Sequence, residues 1–391
     1  MRLLERARCL IKSPGVPREA PVVAAAMDRG MPILGELELA WRLIPNRFVA
    51  VTGTNGKTTV TELLGHVWRT AAEPAAVAGN VGTPLASLVG ELHPDATIVC
   101  ECSSFQLEDA DGFAPECAVL LNVTPDHLDR HRDFDDYLRA KLRIFANQGN
   151  DDVAVFNRSD TALRDLDLGG CARRVAYCRG VDPDCEVSMG DDDTIFAAGE
   201  PLLAASELSL LGQHNADNAM ATAAAALAMG IQRDPVREAL STFPGVPHRL
   251  ERVGEVGGVL YINDSKATNV AAAAAAARSF DGGVRVILGG SLKGADFAAL
   301  AEPVAERCVA CYLIGEAAAR LERDLDPVRA TGVELRRCDG LADAVRSAAG
   351  DARAGEVVLL APACASFDAY EDFEERGEHF RSLVKELSGS A

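Results

Sequence analysis

The chain has 391 residues, 48% of them hydrophobic and 25% charged, which is the balance of a globular protein too long for one compact core, so two or three domains are expected. Lys and Arg number 39 against 58 Asp and Glu, a formal charge of −19 that repels nucleic acid and anionic membrane surfaces, and no basic run offsets it. The opening MRLLERARCLIK interleaves charge with apolar residues, and no later apolar run approaches membrane-spanning length. Neither a signal peptide nor a membrane span is expected, and the reading is a cytoplasmic protein.

Along the chain, short apolar runs end in small or polar residues: FVAVTG (48–53), ATIVCECSS (96–104), CAVLLNVT (117–124), DVAVFN (152–157), VLYINDS (259–265), VRVILGG (284–290), CYLIG (311–315) and VVLLAP (357–362). They predict buried parallel strands. Alanine-rich or amphipathic stretches at 58–69, 218–229 and 269–278 predict intervening helices. The alternation defines an α/β protein. Proline and glycine punctuation at IPNR (44–47) and FPGVPHR (243–249) divides it into 1–46, 47–246 and 247–391. The second piece reads as a central P-loop-type parallel-sheet domain and the third as a Rossmann-like α/β domain. The eleven cysteines follow no repeated spacing, and Cys100, Cys117 and Cys308 sit in apolar runs. They read as reduced thiols, and the CxxC of Cys308 and Cys311 reads as core packing.

The first chemical signal is VAVTGTNGKTT, a strand that runs into Gly53, Thr54, Asn55, Gly56, Lys57, Thr58 and Thr59 and then a helical pattern. Glycines let backbone N–H groups converge on phosphate oxygens, Lys57 supplies charge, and the Thr58 hydroxyl suits Mg²⁺. It is not a standard Walker A, whose spacing would put glycine where Val51 stands.

Two following strands end in acids or histidines. Glu101, at a strand tip beside the loop, is a candidate magnesium ligand; a helix-capping acid is the alternative. In PDHLDRH, His127 and His131 are four apart, which on a helix makes a metal pair, while Pro125 and Asp126 equally suit a surface helix start. In QHNADNA, Asn215 and Asn218 share one helix face or simply cap it. YINDSKATNV carries Asp264, Lys266 and Thr268, and GGSLKGADF carries Lys293; both are also ordinary polar turns. Cys364 has no histidine partner nearby in the sequence and is not read as a nucleophile.

GTNGKTT resembles the phosphate loop of the Mur ligases and the related folylpolyglutamate synthetases, which phosphorylate a carboxylate with ATP and let an amine displace phosphate. NVTPDHLDRH, YLRAKLRIF, HNADN, PHRLERV and APACASFDAYEDFEERGEHF resemble further Mur stretches, and the last, with SKATNV and GGSLKG, is similar to the D-glutamate-adding members. The resemblance covers residues from about 11 to 385 and implies an ATP-dependent ligase that joins D-glutamate to UDP-N-acetylmuramoyl-L-alanine in peptidoglycan synthesis.

On that resemblance Lys57 and Thr58 hold the β and γ phosphates. Thr58, Glu101, His127 and Lys141 serve two Mg²⁺ ions, with Lys141 carried as a carbamate. Asn215 and Asn218 meet the adenine side of ATP, and Arg249, Asp264 and Lys266 complete its site. Thr268, Lys293, Ser366 and Phe373 form the D-glutamate pocket. Lys57, Glu101, His127 and Lys141 are the catalytic set. Ser13, Gly15 and Asn80 resemble muramoyl-substrate contacts, His127 among them. Residues 1–46 then correspond to the last part of a Rossmann-like UDP-binding domain whose uracil-binding glycine loop is absent. The alternatives are a related ligase with another acceptor and a non-catalytic ATP-binding fragment. A monomer that binds neither nucleic acid nor membrane is expected.

Overall fold

The computed structural model describes residues 4, 6–126, 130–210, 213–292 and 296–389. It forms two compact units, Met1–Phe243 and Pro244–Ala391.

The first unit opens with a small parallel pair, β1 (Leu10–Lys12) and β2 (Ile33–Gly35), connected through α1 (Pro21–Met27). Proline suits the first helical position because its missing N–H would have no partner there. α2 (Glu36–Leu43) follows and buries Leu37 and Ala40.

Next come β3 (Phe48–Thr52), α3 (Lys57–Thr70), β4 (Ala75–Gly79), β5 (Thr97–Glu101), α4 (Ser104–Glu108), β6 (Cys117–Leu120), α5 (Phe134–Leu142) and β7 (Val153–Asn157). They are followed by β8 (Arg173–Arg179), β9 (Val187–Met189), β10 (Thr194–Ala197), β11 (Glu200–Ala204), α6 (Gln213–Ala228) and α7 (Arg233–Thr242). One sheet results, in the order β11-β10-β9-β8-β7-β6-β3-β5-β4. β3, β5, β6 and β7 are parallel, as their apolar runs predict; β4, β8 and β9, which no such run marked, extend the parallel pairing, and the sheet is mixed beyond, because β10 pairs antiparallel with both β9 and β11. The β10–β11 turn has Ala198 at φ 51 and Gly199 at φ 79, and two consecutive positive φ values give the tight reversal that forces antiparallel pairing. Phe48, Ala50, Ile98, Cys100, Ala118 and Leu120 pack one core. α6 buries Ala219, Ala223 and Ala226, whose small side chains let its backbone approach the strands.

The second unit runs β12 (Glu251–Val256), β13 (Val259–Asn263), α8 (Val270–Arg278), β14 (Val284–Gly289), α9 (Ala301–Arg307), β15 (Cys308–Ile314), α10 (Ala318–Asp324), β16 (Glu334–Arg337), α11 (Leu341–Asp351), β17 (Val357–Leu360) and α12 (Phe373–Gly389). The sheet order is β12-β13-β17-β14-β15-β16, parallel except for the β12–β13 hairpin. Apolar layers cover both faces, as a doubly wound sheet requires.

Cys100, Cys117, Cys308 and Cys311 are buried as read from the sequence, and the last two lie in β15. The reading of all cysteines as reduced thiols is corrected at one pair: Cys178 and Cys185 form a disulfide across the turn between β8 and β9. That turn brings their Cα atoms to 6.2 Å, within disulfide reach. Among the described residues no helix is long and apolar enough to cross a membrane.

Candidate active site

β3 lies between β5 and β6, with Val51 paired to Glu101 and Thr52 to Leu120. Parallel strands end at one edge of a sheet, so this register sets Glu101 and residues 121–124 beside the loop that follows β3. Glycine is required twice in that loop. Gly53 has φ 157, and a Cβ there would sit 3.0 Å from Leu121 Cβ; Gly56 has φ 85, and a Cβ would sit 2.4 Å from Asn218 Oδ1. Gly56 is the left-handed residue before α3, whose opening N–H groups face no carbonyl one turn back and so suit an anion. Lys57 Nζ donates to the carbonyls of Gly53 (3.0 Å) and Thr54 (2.9 Å). Thr58 and Thr59 are buried at the helix start.

Glu101 is 3% exposed, and its Oε1 accepts a 2.9 Å bond from Asn80 Nδ2. Lys141, on α5, is 1% exposed; its Nζ donates to Gly53 O at 2.8 Å and stands 4.5 Å from the centre of the Tyr137 ring. Burial, reinforced by the neighbouring charge of Lys57, lowers the Lys141 amine to about 7. The Tyr137 hydroxyl is 3.1 Å from Thr54 Oγ1. Asn218 Nδ2 donates to Asn215 Oδ1 at 3.1 Å, so these two share a face in the first turns of α6, and Arg179 holds Asp217 between them through bonds of 2.7 and 2.8 Å.

His127 lies outside the described residues. His131 is 2% exposed, 3.0 Å from Ser104 Oγ and 3.3 Å from Glu108, with its ring stacked on Phe105 and edge-on to the Tyr137 ring at 5.2 Å. Ser13 and Gly15 occupy an exposed turn after β1, anchored through neighbouring Lys12, whose Nζ is 2.6 Å from Asp109.

In the second unit a separate cluster forms at the carboxyl ends of β13 and β17. Asp264 is 6% exposed, and its Oδ1 accepts the Leu250 N–H at 3.1 Å. Burial raises its carboxyl to about 6 despite Arg249 and Lys266. Arg249 is flanked by His248 at φ 61 and Leu250 at φ 43, left-handed conformations that cost side-chain-bearing residues energy and cluster at functional sites. The Lys266 ammonium stands 5.9 Å from the Phe373 ring, and the Thr268 N–H donates to Lys266 O. Ser366 is 2% exposed. Lys293 lies outside the described residues.

Sequence reading missed the residue that ties this cluster together. Arg376, 1% exposed, donates to Ser265 Oγ and Ser265 O, each at 2.9 Å, and to Cys364 O at 3.2 Å, while Ser265 Oγ donates to Phe373 O at 2.8 Å. Burial lowers the Arg376 guanidinium to about 10. In EERGEH nothing distinguishes it from a solvated helix charge.

The first cluster has the donor set a nucleoside triphosphate and Mg²⁺ require: a glycine cradle that a Cβ would fill, a helix N-terminus, a lysine, and hydroxyl and carboxylate oxygens at Thr58 and Glu101. Fold and site together make this an α/β protein of the phosphate-loop class. Residues 51–226 match the Mur ligase middle domain, and 248–364 match the Mur ligase glutamate ligase domain. The chain belongs to the Mur ligase family, whose members use ATP and Mg²⁺.

It is 42% identical over 387 residues to the UDP-N-acetylmuramoylalanine–D-glutamate ligase of Acidobacterium capsulatum, covering 98% of this chain and 83% of that protein. It is 43% identical to the enzyme of the same name from Salinibacter ruber, covering 97% of this chain and 84% of that one. Among solved structures, UDP-N-acetylmuramate–alanine ligase MurC of Thermotoga maritima shares the fold at TM-score 0.64 and 18% identity, over 98% of this chain and 86% of that one. E. coli FolC in complex with DHPP and ADP does so at TM-score 0.64 and 20% identity, over 91% and 94%.

Proposed function

We propose that this chain joins D-glutamate to UDP-N-acetylmuramoyl-L-alanine at the expense of ATP, in peptidoglycan precursor synthesis. The observation that carries the reading is its 42% identity, over 98% of its length, to an enzyme named for that reaction. The alanine carboxylate attacks the γ-phosphorus, the bond to the β-phosphate oxygen breaks, and ADP leaves an acyl phosphate. The D-glutamate amine then attacks the acyl carbon and loses a proton, and phosphate departs as the amide forms.

Lys57, the Thr58 hydroxyl and the start of α3 hold the phosphates, and Gly53, Thr54, Asn55, Gly56 and Thr59 shape their cradle. Mg²⁺, when bound, offsets phosphate charge; Thr58 and Glu101 would hold it, with His127 assigned to the same task by family resemblance. Asn215 and Asn218 are assigned to the adenine, and Arg249, Asp264 and Lys266 to the remaining nucleotide contacts. Thr268, Lys293, Ser366 and Phe373 are assigned to the two carboxylates of D-glutamate, which need cations, hydroxyls or backbone donors. Ser13, Gly15 and Asn80 are assigned to the muramoyl substrate, residues 1–46 corresponding to the last part of the domain that binds its UDP end. The nucleotide substrates support a cytoplasmic site of action.

Lys141 is proposed to carry a carbamate. Carbamylation needs a neutral amine, and an amine lowered to about 7 supplies one near neutral pH. The intact mass should gain a carboxyl group at Lys141, and full activity in Lys141→Ala would exclude the role.

A phosphate-release assay with UDP-N-acetylmuramoyl-L-alanine and a panel of D- and L-amino acids tests the reaction. Release with D-glutamate alone is expected, lost on chelation of Mg²⁺. Release with another acceptor points to a related ligase, and none with any amino acid points to a non-catalytic nucleotide binder.

A further inference from the structure

The segment after β6 carries a residue whose side chain is wholly engaged with the phosphate loop. Asn122 Oδ1 accepts the Asn55 N–H at 2.9 Å, and Asn122 Nδ2 donates to Asn55 O at 3.1 Å. Its own backbone carbonyl accepts the Thr54 N–H at 2.9 Å. The Thr54 hydroxyl closes the same edge, 3.1 Å from Thr124 O and accepting the Thr124 N–H at 3.0 Å.

These bonds continue the β3–β6 pairing past the point where both strands have ended. Leu121 N–H still donates to Thr52 O in ladder fashion at 3.0 Å. One residue on, the loop turns at Gly53, and the side-chain amide of Asn122 meets Asn55 in the way a facing peptide group would. A primary amide holds a donor and an acceptor in one plane, as a peptide does. Aspartate would keep the acceptor only, and would set a carboxylate against the Asn55 carbonyl and towards bound phosphate. Alanine offers neither group.

Two loop N–H groups, those of Thr54 and Asn55, are thereby committed to protein partners, and the opening N–H groups of α3 remain to receive phosphate. We infer that Asn122 is a positioning residue for ATP: it holds the phosphate loop in its receiving conformation before nucleotide arrives, without touching phosphate itself. A preformed cradle spares the nucleotide the ordering of the loop. The inference rests on the ATP-dependent reading above but not on the identity of the acceptor.

The test uses the full chain with ADP and Mg²⁺ in titration calorimetry, beside thermal melts without nucleotide and steady-state KM values. Asn122→Ala should bind ADP·Mg²⁺ about tenfold more weakly, two lost hydrogen bonds to one loop residue setting the scale. Its nucleotide-free melting point should stay within about 3 °C of the parent, and KM should rise for ATP while KM for D-glutamate stays within about twofold. Asn122→Asp, nearly isosteric, should weaken ADP·Mg²⁺ at least as much, and it carries the test if the alanine variant does not fold. ADP·Mg²⁺ affinity within about twofold of the parent in the folded variants, or parallel rises in both KM values, would overturn the assignment. A parent chain that binds ADP·Mg²⁺ yet releases no phosphate with any amino acid defeats the proposed reaction and leaves this inference to be decided by the binding data.

Discussion

The carbonyl oxygen of Gly53 receives the amine of Lys141 at 2.8 Å and that of Lys57 at 3.0 Å. Two lysines therefore converge on one peptide oxygen beneath the phosphate loop. Both as full cations would repel at short range, and Lys141 is the more deeply buried, so it gives up its proton more readily.

While Lys141 carries a free amine rather than a carbamate, that arrangement makes stability depend on pH in a defined direction. The unfolded chain keeps the lysine proton up to about 10.5 and the folded chain only to about 7. Within that window the unfolded state binds more protons, so stability rises with pH; below about 7 both states are protonated and the contribution is flat. In Lys141→Met this rise should vanish, as read by urea unfolding from about pH 6 to about pH 10. Equal slopes in the two proteins would mean that the amine is not depressed.

Gly56→Ala should damage the site twice. A side chain at φ 85 is strained, and its Cβ would need the space held by Asn218 Oδ1, 2.4 Å away. A stability loss of about 1–3 kcal/mol is expected, together with weakened nucleotide binding. Undiminished ADP·Mg²⁺ affinity in calorimetry would contradict this account.

Asp264 works in the opposite sense to Lys141. Its carboxyl titrates near 6 folded against 3.8 ordinarily, so between those values the folded state binds more protons, and stability falls as pH rises through the window and is flat above it. Asp264→Asn keeps an acceptor for the Leu250 N–H and removes the buried charge. Above about pH 6 it should be more stable than the parent by about 1–3 kcal/mol, and its fall between about pH 4 and pH 6 should disappear. A parallel pH profile in chemical denaturation would show that the carboxyl ionises normally.

Arg376→Met should strip hydrogen bonds from the Ser265 and Cys364 carbonyls, which lie at buried residues. A loss of about 2–4 kcal/mol is expected, with KM for D-glutamate raised and ADP·Mg²⁺ binding at the Lys57 loop retained. An unchanged KM for D-glutamate in a folded variant would separate Arg376 from the amino-acid pocket.

The apolar runs and the phosphate loop could be read without coordinates because their signals are local. A buried parallel strand needs a continuous apolar run, and a loop that receives phosphate needs glycine, lysine and hydroxyl within a few positions. The eight runs all appear as strands, and GTNGKT joins β3 to α3. The β10–β11 hairpin carries no continuous apolar run to read: β10 buries only alternate residues, and β11 opens on the exposed Glu200 and Pro201.

Partners distant in sequence had to await the folded chain. The four-residue spacing of His127 and His131 suits either a metal pair or a surface cap, and packing sent His131 to Ser104 and Glu108. Arg376 carries no local mark, yet burial against Ser265, 111 positions earlier, makes it a tie between three segments. Lys141 looks like any surface lysine until the fold removes its water and sets Lys57 beside it. Residue type and spacing encode which groups a segment can offer; solvation and neighbouring charge, which decide what those groups do, arise only when remote segments close around them.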